Sequence, residues 1–317
     1  MLTVMIVGLS MGTVVTTGQA TGANNHAQVS KAVGNTLTLF LSLSLIVTIV
    51  LLLLVRPIVQ AVFTPEVAIP GTLSYLTICF LGIPLITAYN IIASIFRGLG
   101  DSKRPMYFIA VACLANIALD YLFIGAFQLG ATGAALGIVL SQAISVFIAL
   151  VFIRTTKKGL HLHRSDLRPS RNTMGEILHI GIPIALQDGF IQVAFILITI
   201  FANQRGLADA AAVGIVEKLI CILFLVPSSL LQSVSALAAM NLGANQPKRA
   251  RRVLRYACSI AVVWGIAVVF LMYFSSETII GWFSQNEQVV PHKLPIKLFH
   301  LYITPRRTKK AQLFIQQ

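Results

Sequence analysis

The chain has 317 residues, 56% of them hydrophobic and 11% charged, with a formal net charge of +14. Soluble domains carry about 25% charged residues, so this composition excludes an ordinary water-soluble fold. A charge this positive also suggests nucleic-acid binding, but the positions of the charges speak against it.

Taken in chain order, the apolar residues fall into eight segments, at roughly 2–23, 35–63, 71–96, 105–127, 132–153, 179–203, 210–242 and 253–284. Crossing about 30 Å of hydrocarbon takes about 20 such residues in a helix. The second segment contains LTLFLSLSLIVTIVLLLLV (37–55), with no charge and no polar face. The pattern predicts an all-α polytopic membrane protein. No Lys or Arg precedes Lys31, so the first segment lacks the basic flank of a secretory leader.

The longest polar break, 154–178, is a basic linker. It separates residues 1–153, with five predicted helices, from 179–290, with three. Residues 291–317 form a basic, proline-containing tail without an acid or a stretch long enough to span. That tail is expected to be unrelated or out-of-frame sequence.

Lys31, Arg97, Lys103, Arg104, Arg154, Lys157, Lys158, Arg164, Arg168 and Arg171 all lie on odd-numbered loops or at their edges. So do Lys248, Arg249, Arg251, Arg252 and Arg255. The even loops offer Arg56 and Arg205. By the positive-inside rule the odd loops are cytoplasmic. The net charge thus describes orientation in a bilayer, and no nucleic-acid partner is expected. Met1 then falls on the outer side, which predicts a further helix ahead of it.

A short polar island, TGANNHAQVSKAV (21–33), recurs as LGANQPKRARRVL (242–254), at an offset of 221 positions. Both islands lie on cytoplasmic loops, so the two copies share one orientation. Internal repeats of this kind mark transporters. The repeat predicts two pseudo-symmetric helical lobes of six helices each, of which this chain supplies about 8 of 12.

Ionisable groups at membrane depth cost roughly 2.5–3.5 kcal/mol on insertion scales, so each needs a reason. Asp120, in ACLANIALDYLFIGAF, has Asn116 one helical turn earlier on the same face. A carboxylate beside an amide can hold Na⁺, or titrate and carry a proton. The plainer alternative is an acid at the outer interface that reaches water. Asp188 and its neighbour Gln187, close to Pro183, and Glu217, beside Lys218, are candidates for a substrate or cation path. Asn90 is a further candidate, with a helix-packing amide as the alternative.

Cys79, Cys113, Cys221 and Cys258 all lie in apolar runs and form no CxxC pair, which reads as packing. His161 and His163 have no carboxylate or thiol cluster nearby, so no metal site is expected. FRGLGDSKRP does not fit a Walker A loop. No nucleophile–base arrangement stands out, so no enzymatic activity and no cofactor are expected.

FRGLGDSKRPMYF (96–108) and ANIALDYLFIGAFQLGATGAALGIVLSQ (115–142) resemble the MATE family, the multidrug and toxic compound extrusion transporters. GIPIALQDGF (181–190) and VEKLICILFLVPSSLLQSVSALAAMNLGANQPKRA (216–250) support the resemblance, which covers about 1–290 and is nearest the bacterial branch. The resemblance implies twelve helices in two lobes. It implies exchange of Na⁺ or H⁺, as the coupling ion, for cationic or amphipathic small molecules. The protein would act as a monomer in the bilayer of the inner (plasma) membrane. Asn116 and Asp120 match the family's NxxxD pair in the first-lobe cation site. That site also draws an acid from the first family helix, which this chain lacks. Asp188 is near, but not clearly equivalent to, an acid position on the seventh family helix. Two alternatives stand beside efflux. One is a lipid-linked oligosaccharide flippase of the same superfamily; the other is a non-functional fragment truncated at both ends.

Overall fold

The computed structural model describes residues 2–61, 69–155, 163, 165–205 and 207–281. Among these the regular structure is helical throughout: α1 Leu2–Gly22, α2 His26–Ala61, α3 Ile69–Leu81, α4 Ile83–Gly98, α5 Lys103–Asp120, α6 Gly130–Thr155, α7 Arg171–Arg205, α8 Leu207–Leu223, α9 Leu225–Gly243 and α10 Pro247–Gly281. A π-helical turn, Tyr121–Ala126, continues α5. Seven spans among the described residues are long and apolar enough to cross a membrane. The bent pair α3–α4, which turns by 42°, makes an eighth if it counts as one span. These match the eight predicted segments. The tail at 291–317 lies outside the described residues.

Three helices begin earlier than the apolar runs indicate. α2 starts at His26, α7 at Arg171 and α10 at Pro247. The onset of hydrophobicity marks entry into hydrocarbon, whereas a helix that keeps its backbone bonds runs on into the interface. The end of the predicted linker, 171–178, is therefore the first two turns of α7. The polar islands shrink to tight turns for the same reason. In the first, N–H groups of Ala23, Asn24 and Asn25 donate to the carbonyls of Gln19, Thr21 and Ala20 at 3.0, 3.0 and 3.1 Å. In the second, Ala244, Asn245 and Gln246 donate to Met240, Leu242 and Asn241 at 2.9, 3.0 and 2.8 Å. Asn24 has φ 54° and Asn245 φ 55°, the left-handed conformation that ends many helices and that Asn tolerates.

The chain forms two compact units, Met1–Ile191 with Leu231–Arg255 and Gln192–Leu230 with Tyr256–Gln317. In the first, one apolar cluster joins Ala20, Val29, Val33, Phe40, Ile91, Ile95 and Ile177. A second joins Ile92, Phe96, Phe108, Val146 and Ala149. Within it the rings of Phe96, Phe108 and Phe152 meet edge to face, with centroids 5.8–6.5 Å apart. Arg104 lies over the Phe152 ring at 4.8 Å while its Nε bonds Asp101 at 2.8 Å. In the second unit the indole N–H of Trp264 donates to the Leu223 carbonyl at 3.2 Å, tying α10 to α8.

The linker's end is pinned to α2 in the first unit. Asn35, fully buried, accepts the Ser170 N–H at 2.6 Å and donates to the Asp166 carbonyl at 3.3 Å. Thr38 donates to the Leu167 carbonyl at 2.8 Å. Gly34 has no room for a side chain, since a Cβ there would strike the Asp166 carbonyl.

Candidate functional site

α5 is unbroken from Lys103 to Asp120, which sets Asn116 and Asp120 on one face, as the spacing predicts. That face looks onto Gly137 of α6. A Cβ at Gly137 would run into Asp120 Oδ1 and come within 3.5 Å of Asn116 Nδ2. Gly133, one turn earlier, meets the Phe123 backbone at 3.1 Å. The Gly133-xxx-Gly137 face thus lets the end of α5 close onto α6, as small residues do between membrane helices. Sequence reasoning named the acid and the amide but not the glycine opposite them. The four-residue glycine spacing was its available signal.

Asp120 Oδ1 and Asn116 Nδ2 are both buried without a hydrogen-bond partner among the described residues. An unsatisfied buried polar atom costs about 1–3 kcal/mol, more if charged. Two of them side by side, one a carboxylate oxygen, leave this face of α5 short of polar partners. Oxygen donors suit a hard cation, and the Asn116 carboxamide supplies one when its oxygen is turned inward.

The other candidates stand apart. Asp188 is half-buried on α7 against Gly8 of α1, whose Cβ would lie 2.7 Å from Asp188 Oδ2. Gln187, its neighbour, is exposed. α7 runs through Pro183 as one helix, so no broken segment frees carbonyls beside Asp188. Asn90 is buried, with its amide donating to the Ile86 carbonyl of its own helix at 2.8 Å. Glu217 is half-buried on α8 and Lys218 exposed. The two form no ion pair; the ion pair among the described residues is Arg104–Asp101. No cluster of three or more metal-ligating side chains occurs among the described residues.

An apolar cavity of about 260 Å³ lies between α1, α2, α4 and α7. Met5, Leu9, Phe40, Val47, Ile83 and Leu186 line it, with Ser44 and Thr87 as its polar members.

Arg97 corrects the reading of the charges. Counted as a loop residue, it sits in the last turn of α4 and is half-buried. Its guanidinium donates to Gln232 Oε1 of α9 at 2.8 Å and to Ser94 Oγ at 3.0 Å. Ser94 in turn bonds Ser10 of α1 at 2.9 Å. Among the described residues no carboxylate pairs with Arg97.

A family model described as MatE matches residues 1–122 and 183–297. The chain belongs to the MatE family. Its MATE relatives include the probable multidrug resistance protein YoeA of Bacillus subtilis (strain 168), 28% identical over 91% of this chain and 64% of that protein. The multidrug export protein MepA of Staphylococcus saprophyticus is 24% identical over 69% of this chain and 48% of its own length. Among solved structures, a MOP superfamily transporter from Pyrococcus furiosus superposes with a TM-score of 0.82 at 22% identity. That superposition covers 90% of this chain and 64% of that one, and it shows the fold. The chain spans 64% of YoeA, so the activity of a whole MATE protein is a matter of proposal here. It is a multi-pass protein of the plasma membrane.

Proposed function

We propose that the chain carries out, or forms the greater part of a protein that carries out, secondary efflux of amphipathic or cationic small molecules. An inward flow of Na⁺ or H⁺ drives it, with Asp120 as the coupling group and Asn116 as its companion. The observation that carries this reading is the pair of unpartnered buried atoms, Asp120 Oδ1 and Asn116 Nδ2, closed over by Gly137. The relatives named for multidrug resistance and export support the substrate class. The cavity between α1, α2, α4 and α7 is lined almost wholly by apolar side chains, which suits the greasy body of such a substrate.

The energetics are sufficient. One charge crossing 100 mV releases about 2.3 kcal/mol, and a tenfold gradient corresponds to about 1.4 kcal/mol. One ion can therefore sustain roughly a fifty-fold substrate gradient. A lipid-linked oligosaccharide flippase would need several cations facing its cavity to meet a pyrophosphate. Among the described residues the lining of the apolar cavity holds no cation, and the half-buried Arg97 is already engaged by Gln232 and Ser94.

The test is dye efflux from a drug-sensitive bacterial host or from vesicles, with a Na⁺ or a proton gradient imposed in turn. Asp120→Asn should abolish gradient-driven efflux at unchanged expression. Efflux equal to the parent would remove Asp120 from the mechanism.

A further inference from the structure

The repeat holds in space as well as in sequence. A Cβ on Gly18 of α1 would lie 3.0 Å from the Cβ of Ala239 on α9, its equivalent 221 positions on. A Cβ at Gly22 would strike the Met240 carbonyl, and one at Gly243 would strike the Gln19 carbonyl. Gly22 and Gly243 are equivalent under the repeat, and so are Gln19 and Met240. The helices that follow the two turns, α2 and α10, can therefore be compared residue by residue.

They differ on one face. At 3.6 residues per turn, Lys248, Arg251, Arg252 and Arg255 fall within about 100° of arc on α10, with Arg249 at the flank. All five are exposed, whereas on the opposite side Ala250 is buried and Val253 half-buried. The residues of α2 equivalent to the four are Ala27, Ser30, Lys31 and Gly34, a single cation among small side chains. Gly34 is buried against the Asp166 carbonyl, so in the first copy the linker covers this face. In the second copy it is exposed and charged. A helix can thus leave this turn without a cationic stripe. The positive-inside rule asks for cations on the loop, but not for a common helix face.

We propose that this face of α10 binds the headgroup of an anionic phospholipid carrying two phosphates, drawn from the cytoplasmic leaflet. Among the described residues Lys248, Arg251 and Arg252 have no carboxylate partner. No acid occurs in the sequence between Glu217 and Glu277. The helix end is not itself on offer, since the N–H groups of Arg249 and Ala250 already donate to the Gln246 carbonyl at 3.0 and 3.2 Å. The side chains are what a ligand meets. After Arg255 the helix carries no charge before Glu277, so the cations stand at the edge of the hydrocarbon, level with lipid phosphates. That continuity selects a lipid over a soluble polyanion of the same charge. Lys248 and Arg255 lie about 10 Å apart along the axis, at 1.5 Å per residue. One phosphate diester cannot meet both ends of such a stripe, whereas two can, each held by charge-assisted hydrogen bonds. The site stands whether or not the chain transports.

The test is native mass spectrometry of the full chain in detergent, titrated with diphosphatidylglycerol, phosphatidylglycerol or phosphatidylcholine, which counts the lipids retained. The first diphosphatidylglycerol should be held at least tenfold more tightly than either of the others. Lys248→Gln with Arg251→Gln and Arg252→Gln should abolish that preference. Lys31→Gln with Lys103→Gln and Arg171→Gln removes the same charge from exposed positions on the same membrane surface, and should keep it. Raising the salt to about 0.5 M should erase the preference in the parent chain, a readout that needs no substitution. No preference in the parent, or equal loss in the two triple variants, would overturn the proposal. So would tighter retention of a single-stranded DNA oligomer than of the two-phosphate lipid, which would make the face a polyanion surface.

Discussion

Asn24 and Asn245 adopt the same left-handed backbone at the same place in two turns, with φ 54° and 55°. Each sits between a helix that ends in a close glycine contact and a helix that starts in polar surroundings. A β-branched residue at this φ is strained, and the left-handed region costs most residues about 1–2 kcal/mol. Asn24→Val should therefore lower the thermal unfolding midpoint in detergent, while Asn24→Gly should leave it near the parent. Equal midpoints for the Val and Gly variants would show that the turn does not hold α1 and α2 together.

Gly137 is expected to matter as much as the acid it faces. A methyl group there meets Asp120 Oδ1 and approaches Asn116 Nδ2, so Gly137→Ala must displace the carboxylate or part α5 from α6. Gradient-driven efflux should fall at least tenfold at normal expression, with the unfolding midpoint lowered by a few degrees. Gly133→Ala meets the Phe123 backbone instead and should lower the midpoint more than Gly137→Ala does.

The α1–α7 contact gives an ordering. A Cβ at Gly12 meets the Ile177 carbonyl, a backbone atom that cannot step aside. At Gly8 the first atom met is the movable end of the Asp188 side chain. Overpacking a close contact costs about 1–3 kcal/mol. Gly12→Ala should be the more damaging of the two, by denaturant or thermal unfolding, and the reverse order would contradict this helix packing.

Asn35 clamps the linker. Removing its side chain leaves the Ser170 N–H without its 2.6 Å acceptor, a loss of about 1–3 kcal/mol where the donor stays buried. Asn35→Ala should speed trypsin cleavage at Arg168 and hydrogen exchange at the Ser170 amide, while α5 and α6 keep their exchange rates. Unchanged cleavage and exchange would mean the linker is held by other contacts.

The spans and the Asn116–Asp120 face could be read from the sequence because hydrophobicity and helical period are properties of a single segment. What could not be read depends on a second helix. Gly12, Gly22, Gly137 and Gly243 are individually unremarkable letters, and their meaning lies in which carbonyl or carboxylate stands opposite. Arg97 was misplaced for a related reason. Charge counts assign it to a loop, but Gln232, 135 positions away, draws it into the packed interior. Helix starts at His26, Arg171 and Pro247 were missed because hydropathy registers the hydrocarbon edge and not the helix end.

The Gly18–Ala239 contact has the geometry of a homodimer interface folded into one polypeptide, with each half presenting the same patch to the other. Such a patch is self-complementary, so a change on either side damages one shared contact. Gly22→Ala and Gly243→Ala together should then destabilise by less than the sum of the two alone, the non-additivity of neighbours that share a contact. The same symmetry leaves a free copy of either half with an exposed face shaped to fit itself.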